Sequence, residues 1–64
     1  MTKEELLGQL DQEIEQTAAS VRFWRKQEEL QAPTHYAALV SATADSYEAQ
    51  LGHLQATRRE IANP

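Results

Sequence analysis

The 64-residue sequence contains no cysteine, only two glycines and two prolines, and one residue each of tryptophan and phenylalanine. Without cysteine the chain has no internal disulfide and offers no thiolate to a metal. A chain of this length buries only about 60% of the surface that its unfolded form exposes, so its own core is small. We therefore expect a second copy of the chain to supply additional core.

Long apolar runs are also missing. No stretch approaches the roughly 20 apolar residues that a membrane helix needs, and residues 1–5 lack the pattern of a signal peptide. The formal net charge is -4, and residues 1–15 hold five acids against one lysine, so the chain gains no long-range attraction toward phosphates. We expect a soluble cytoplasmic protein that binds no membrane and for which nucleic acid is an unfavoured partner.

What remains is rich in the helix-forming residues alanine, glutamine, glutamate and leucine. Thr2, followed three residues later by Glu5, is a capping-box pattern that marks the start of a helix. Apolar side chains then recur every three or four positions, at Leu7, Leu10, Ile14, Val21 and Trp24. This period predicts a first helix over about residues 3–30.

Residues 31–34, with the sequence Gln-Ala-Pro-Thr, form the one evident break. Pro33 lacks an N–H group and biases Ala32 away from the helical region, while Thr34 is suited to cap a following helix. A second apolar stripe follows, at Val40, Ala44, Tyr47, Leu51, Leu54 and Ile61. It predicts a second helix over about residues 35–61.

Two helices joined by a short break fold back on each other as an antiparallel hairpin, so we expect a single all-α domain over residues 1–64. The stripes match when the numbers of facing residues add to about 68. Leu6, Phe23, Leu30, Tyr36 and Leu39 lie beside the stripes, and dimerisation of two hairpins into a four-helix bundle would cover them. The predicted core or dimer residues are Leu7, Leu10, Ile14, Val21, Trp24, Val40, Tyr47, Leu51, Leu54 and Ile61.

The segment Val21–Lys26, with the sequence VRFWRK, holds the only phenylalanine, the only tryptophan and three of the six basic residues. Phe23 and Trp24 are about 100° apart on a helix, so only one of them points into the seam, and the sequence leaves open which. Tryptophan and arginine are enriched in protein-binding hot spots. The predicted partner-binding residues are Arg22, Phe23, Arg25, Lys26, Leu30 and Tyr36.

Two other interpretations of this segment stay open. It is a solvated helix face if its cations are neutralised locally, as Arg25 would be by Glu28 and Glu29. It is a nucleic-acid contact if the cations of several subunits combine with aromatic stacking. In that case Arg22, Arg25 and Lys26 would act together, or the paired Arg58 and Arg59 of two subunits.

Residues for catalysis or metal binding are scarce. Ser46 and His53 are two turns apart and have no Gly-rich loop or strand-to-helix elbow beside them. His35 and His53 each lack a second metal ligand one turn away. We therefore expect no catalytic residue, no metal site and no cofactor.

These observations predict a small non-catalytic protein-interaction module that acts as a homodimer. Such a module would be an adaptor, an assembly factor or an inhibitor that occupies a surface of a larger protein. Two alternatives remain, namely a nucleic-acid- or nucleotide-binding regulator that uses basic residues of a helical oligomer, and a structural subunit that assembles only with itself.

Overall fold

The computed structural model describes residues 1–63, and that part of the chain is an all-α hairpin without strands. Helix α1 spans Lys3–Gln31 and helix α2 spans Ala37–Ala62. The two helices pack against each other in a rod of 48 × 15 × 14 Å. The prediction of an all-α helical hairpin is confirmed. Neither helix combines the length and the apolar character that crossing a bilayer requires.

Helix α1 begins at the predicted cap. The Thr2 hydroxyl accepts a hydrogen bond from the Glu5 backbone N–H at 3.1 Å, which satisfies one of the free donors of the first turn. The Glu5 carboxylate accepts from the Thr2 hydroxyl at 3.2 Å. Glu4 and Glu5 lie in the first turn, where negative charge is favourable to the helix dipole.

The turn between the helices occupies residues 32–36, slightly later than the predicted break at 31–34. Thr34 organises it, because both its backbone N–H and its hydroxyl donate to the Gln31 carbonyl oxygen, at 2.9 and 2.8 Å. The same hydroxyl accepts from the Tyr36 backbone N–H at 3.2 Å. Helix α2 therefore begins at Ala37 and not at residue 35, and its N-cap residue Tyr36 makes no side-chain capping bond.

The expectation that Pro33 would push Ala32 out of the helical region was wrong. Ala32 has φ -51° and ψ -39°, which is right-handed helical geometry. The steric effect of a following proline is a bias and not a prohibition. At this position the two hydrogen bonds from Thr34 to Gln31 hold the end of α1 and offset that bias.

Two ion pairs between the helices show the antiparallel register. Arg58 Nε lies 2.5 Å from an Asp11 carboxylate oxygen, and an Arg25 amino group lies 2.8 Å from Asp45. These residue numbers add to 69 and 70, which agrees with the expected value of about 68. The register therefore follows the match between the two apolar stripes.

The core of the hairpin is thin. Only Thr17, Val40 and Ala44 are buried among the described residues, with exposed fractions of 6%, 8% and 0%. Nine of the ten predicted core or dimer residues are half-buried, and the tenth is Val40. The half-buried side chains are Leu7, Leu10, Ile14, Val21, Trp24, Tyr47, Leu51, Leu54 and Ile61. A single seam between two helices thus shields only one side of each apolar stripe.

Candidate protein-interaction surface

Four large apolar side chains are more than half exposed in the part of the hairpin nearest the turn. Their exposed fractions are 56% for Phe23, 59% for Leu30, 53% for Tyr36 and 66% for Leu39. Single exposed apolar residues are ordinary, but a group of them in one region is typical of an interaction site. We use the name tip surface for these four residues together with the neighbouring cations Arg22 and Lys26.

Phe23 and Trp24 divide the two roles that the sequence left open. Trp24 is half-buried, whereas Phe23 is exposed. Their rings make an edge-to-face contact, with centroids 5.3 Å apart and planes at 89°. This geometry is favourable for aromatic pairs and restrains the Phe23 ring. Because a restrained ring loses less rotational freedom on binding than a free one, Phe23 is suited to contact a partner.

The helical part of the tip surface presents an apolar ridge with a charged edge. Phe23 and Leu30 are seven residues apart and therefore lie on the same face of α1. Arg22 and Lys26 are four residues apart on a line beside them. Both cations are exposed, and within residues 1–63 neither forms an ion pair. Their charges are thus free to meet carboxylates of a partner.

Arg25, one of the predicted partner-binding residues, joins the two helices. Its guanidinium group lies 3.3 Å from Glu28 and 2.8 Å from Asp45, and it also donates to the Glu48 carboxylate. The hydrogen bonds to Glu48 and then to Asp45 raise the pKa of Arg25 above its usual value. A guanidinium with three carboxylate neighbours has little capacity for a further ligand, so Arg25 lies beside the tip surface but is not counted in it.

Asp45 and Glu48 were not predicted as partners of Arg25, because only acids within one helical turn of it were considered. They are 20 and 23 residues away along the chain. The predicted register was the signal that could have found them, since it places the start of α2 level with the end of α1. Leu39 was not among the predicted binding residues, although it is the most exposed member of the tip surface.

The turn end of the tip surface is held by local contacts. The rings of His35 and Tyr36 are in contact, with centroids 4.0 Å apart and planes inclined at 38° to each other. The Tyr36 backbone N–H is bound by Thr34, as described above. Tyr36 therefore projects from an ordered turn, and Leu39 projects from the first turn of α2.

Two shallow grooves lie on α1 away from the tip, each with a volume of about 350 Å³. The first is lined by Leu6, Gln9, Leu10, Gln12 and Glu13. The second is lined by Gln12, Glu15, Gln16 and Ala19. Both are formed by one helix and are open to solvent.

The residues considered for catalysis and metal binding are dispersed. Ser46, His35 and His53 are exposed. Within residues 1–63, no three side chains of histidine, aspartate or glutamate are grouped closely enough to hold a metal ion. Arg58, whose pKa is raised by its hydrogen bond to Asp11, serves the helix pairing.

No protein-family model matches the chain, and neither a curated protein nor a solved structure is similar to it. The helical hairpin by itself indicates no particular task, because unrelated proteins share this arrangement.

Proposed function

We propose that this chain is a small, non-catalytic protein-interaction module that acts as a homodimer, and that the tip surface is where it contacts another protein. The observation that supports this proposal is the grouping of four large apolar side chains, each more than half exposed, beside two unpaired cations. Such a surface is costly to leave in water and is typical of an interface.

The binding free energy that the tip surface can contribute depends on how much of its apolar area is exposed to water. Roughly half of each of the four side chains is exposed, so burying that remainder would contribute about 1 kcal/mol for each side chain, about 4 kcal/mol together. A micromolar complex has a binding free energy of about -8 kcal/mol. Burial of the tip surface of one chain would thus provide about half of the binding free energy of such a complex, and burial of apolar surface on the partner would have to provide the rest.

The arrangement favours a helix-in-groove contact. Phe23, Lys26 and Leu30 follow each other at spacings of three and four residues on one face of α1. Helices that dock into grooves of other proteins use anchors at these spacings. Phe23 and Leu30 would enter apolar depressions of the partner, while Lys26 would lie at the edge and meet a carboxylate.

A nucleic-acid ligand is the weaker alternative for the same surface. Arg25 is bound by three carboxylates, which leaves Arg22 and Lys26 as the cations of this region without an ion pair within residues 1–63. Glu28, Asp45 and Glu48 would moreover repel a phosphate backbone nearby. Two cations for each chain release few counterions, so their contribution to affinity for nucleic acid is small.

Site-specific photo-crosslinking tests the proposal. A benzophenone amino acid is placed at position 23 or 30, and as a matched control at position 60, where Glu60 is exposed at the far end of α2. The labelled chains are irradiated as purified protein and in the cells that produce the chain. We expect adducts with protein at positions 23 and 30, with yields at least about tenfold above position 60.

Competition decides whether the adducts reflect a specific contact. Unlabelled wild-type chain should suppress them, whereas unlabelled Phe23→Ala/Leu30→Ala chain should not. Equal yields at all three positions, or no adducts at any, would contradict the proposed role of the tip surface. A ladder of adducts well beyond two chains in purified protein would instead favour a structural subunit that assembles only with itself.

A further inference from the structure

The geometry points to a second copy of this chain as the molecule that covers the ridge of the tip surface. We propose that two α1 helices pack antiparallel through the faces that each turns away from its own α2. This inference rests on the proposed function and specifies the partner and the register of the homodimer. Area, charge and shape each support it.

The first argument is the surface area. The chain exposes 4779 Å², while a compact monomer of 7.2 kDa exposes about 4,100 Å². The excess of about 650 Å² arises because the hairpin is a thin rod. Protein interfaces of standard size bury about 800 Å² on each partner, and the lower end of their range is about 600 Å². A contact with one further copy would therefore bring the chain close to the exposure of an ordinary compact protein.

The second argument is the charge pattern on the outer face of α1. When two copies lie antiparallel so that the numbers of facing residues add to 37, Arg22 of each lies opposite Glu15 of the other. In the same register Lys26 lies opposite Asp11. Because the two copies are related by a twofold axis, each of these pairs occurs twice, once at each end of the contact. A parallel arrangement would instead place Arg22 beside Arg22, which is repulsive.

Glu15 is the decisive acidic partner. Asp11 already binds Arg58 within its own chain. Glu15, in contrast, is exposed and forms no ion pair within residues 1–63, like Arg22. The pair of Glu15 and Arg22 thus joins two unpaired charges of opposite sign. The centre of this register falls between Ala18 and Ala19, whose small side chains allow close approach of the two helices.

The third argument is the shape of the surface. In this register Phe23 of one copy arrives level with residue 14 of the other, which is the level of the groove lined by Gln12, Glu15, Gln16 and Ala19. Leu30 arrives level with residue 7, beside the groove that Leu6 and Leu10 help to line. Phe23 therefore has a depression to enter, and Leu30 comes to lie at the border of a second one. Tyr36 and Leu39 lie outside this contact.

A charge-reversal experiment tests the register. The variants are Arg22→Glu, Glu15→Arg and the two changes combined, and the control is the reversal of the adjacent charges Arg59 and Glu60 at the far end of α2. Dimer dissociation constants are measured by sedimentation equilibrium, with far-ultraviolet circular dichroism to verify helicity. Each single change replaces two attractive pairs by two repulsive ones, so we expect it to raise the dissociation constant by about tenfold or more.

The combined variant should recover the wild-type dissociation constant to within about threefold, because the opposite charges face each other again in exchanged positions. The control should change it by less than about threefold. A monomeric wild-type chain, single variants that dimerise like wild type, or a combined variant that stays folded without recovering would each overturn the proposed register.

A covalent test keeps the proposal falsifiable if a charge variant fails to fold. Ala19→Cys places a thiol near the centre of the contact, and Ala49→Cys places one on the exposed face of α2. Mild oxidation should convert the first variant, and not the second, into a disulfide-linked dimer. Equal conversion of the two would contradict the contact.

The two proposals fail in different ways. If the purified chain is monomeric but a probe at position 23 still crosslinks specifically to another protein, the α1 contact is wrong and the interaction module stands. If the probe crosslinks to nothing in either setting, the proposed function itself is wrong.

Discussion

Replacing Gly52 by alanine is expected to stabilise the hairpin. Gly52 lies inside α2, and a Cβ atom added there would meet no atom within 4 Å. Its φ is not positive, so alanine adopts the same backbone without strain. In a helix interior alanine is more favourable than glycine by about 0.8–1.0 kcal/mol. Since nothing in the hairpin opposes the added methyl group, nearly the whole difference should appear in the free energy of unfolding.

The assay is thermal unfolding followed by far-ultraviolet circular dichroism. For a chain of this size a gain of about 1 kcal/mol raises Tm by about 4–8 °C. All variants are compared at one protein concentration, because dimerisation makes Tm depend on concentration. Ala56→Gly is the matched control, since it makes the reverse change at an exposed position one turn further along α2. It should lower Tm by a similar amount.

The result also bears on how the hairpins associate. In the proposed dimer the outer face of α2 is free, so Gly52→Ala should leave the dimer dissociation constant unchanged. A lower Tm, or a weaker dimer, would mean that another helix lies against Gly52. That outcome would contradict both the claim that a Cβ atom at position 52 meets no other atom and the proposed α1 contact.

Three further changes probe the contacts within the hairpin. Val40→Ala removes two buried methyl groups and should lower the free energy of unfolding by about 1.5 kcal/mol, measured by urea titration; no loss would mean that the seam is already loose. Thr2→Ala removes the cap of α1 and should cost about 1 kcal/mol, with faster amide exchange confined to the first turn; unchanged exchange would contradict the capping bond. Arg25→Gln should lower stability by an amount that shrinks as salt is added, because the ion pairs are partly exposed. The pKa of Arg25 is raised in the folded chain, so the stability that Arg25 contributes is complete at every pH below the usual arginine pKa. The difference in stability between wild type and Arg25→Gln should therefore be constant from about pH 7 to about pH 10.

The helices and their register were predictable from the sequence because both depend on regular repeats. Apolar residues at spacings of three and four define one face of each helix, and only one alignment brings the two faces together over their full length. The ion pair of Asp11 with Arg58 then falls within one residue of the expected register. Thr2 was predictable as the cap for the same reason, since capping depends on a fixed local spacing.

The details of the tip surface were less predictable, because they depend on the rotation of α1 and on contacts between distant residues. A helical period alone leaves Phe23 and Trp24 nearly equivalent, and it is the packing against α2 that shields Trp24. Arg25 has local acids that suggest a local pair, yet its shortest contacts reach Asp45 and Glu48 on the other helix. The geometry of Ala32 likewise depends on the hydrogen bonds of Thr34 and not on Pro33 alone.

The most direct test of the interaction surface is the solution mass of the wild-type chain and of Phe23→Ser, measured by sedimentation equilibrium from about 1 μM to about 1 mM. Phe23 is exposed in the single hairpin, so its loss should leave the helices intact. The wild-type mass should rise from 7.2 kDa toward twice that value, while Phe23→Ser should stay near the monomer mass. A wild-type chain that remains monomeric throughout, or two chains that dimerise equally, would contradict the proposed dimer contact.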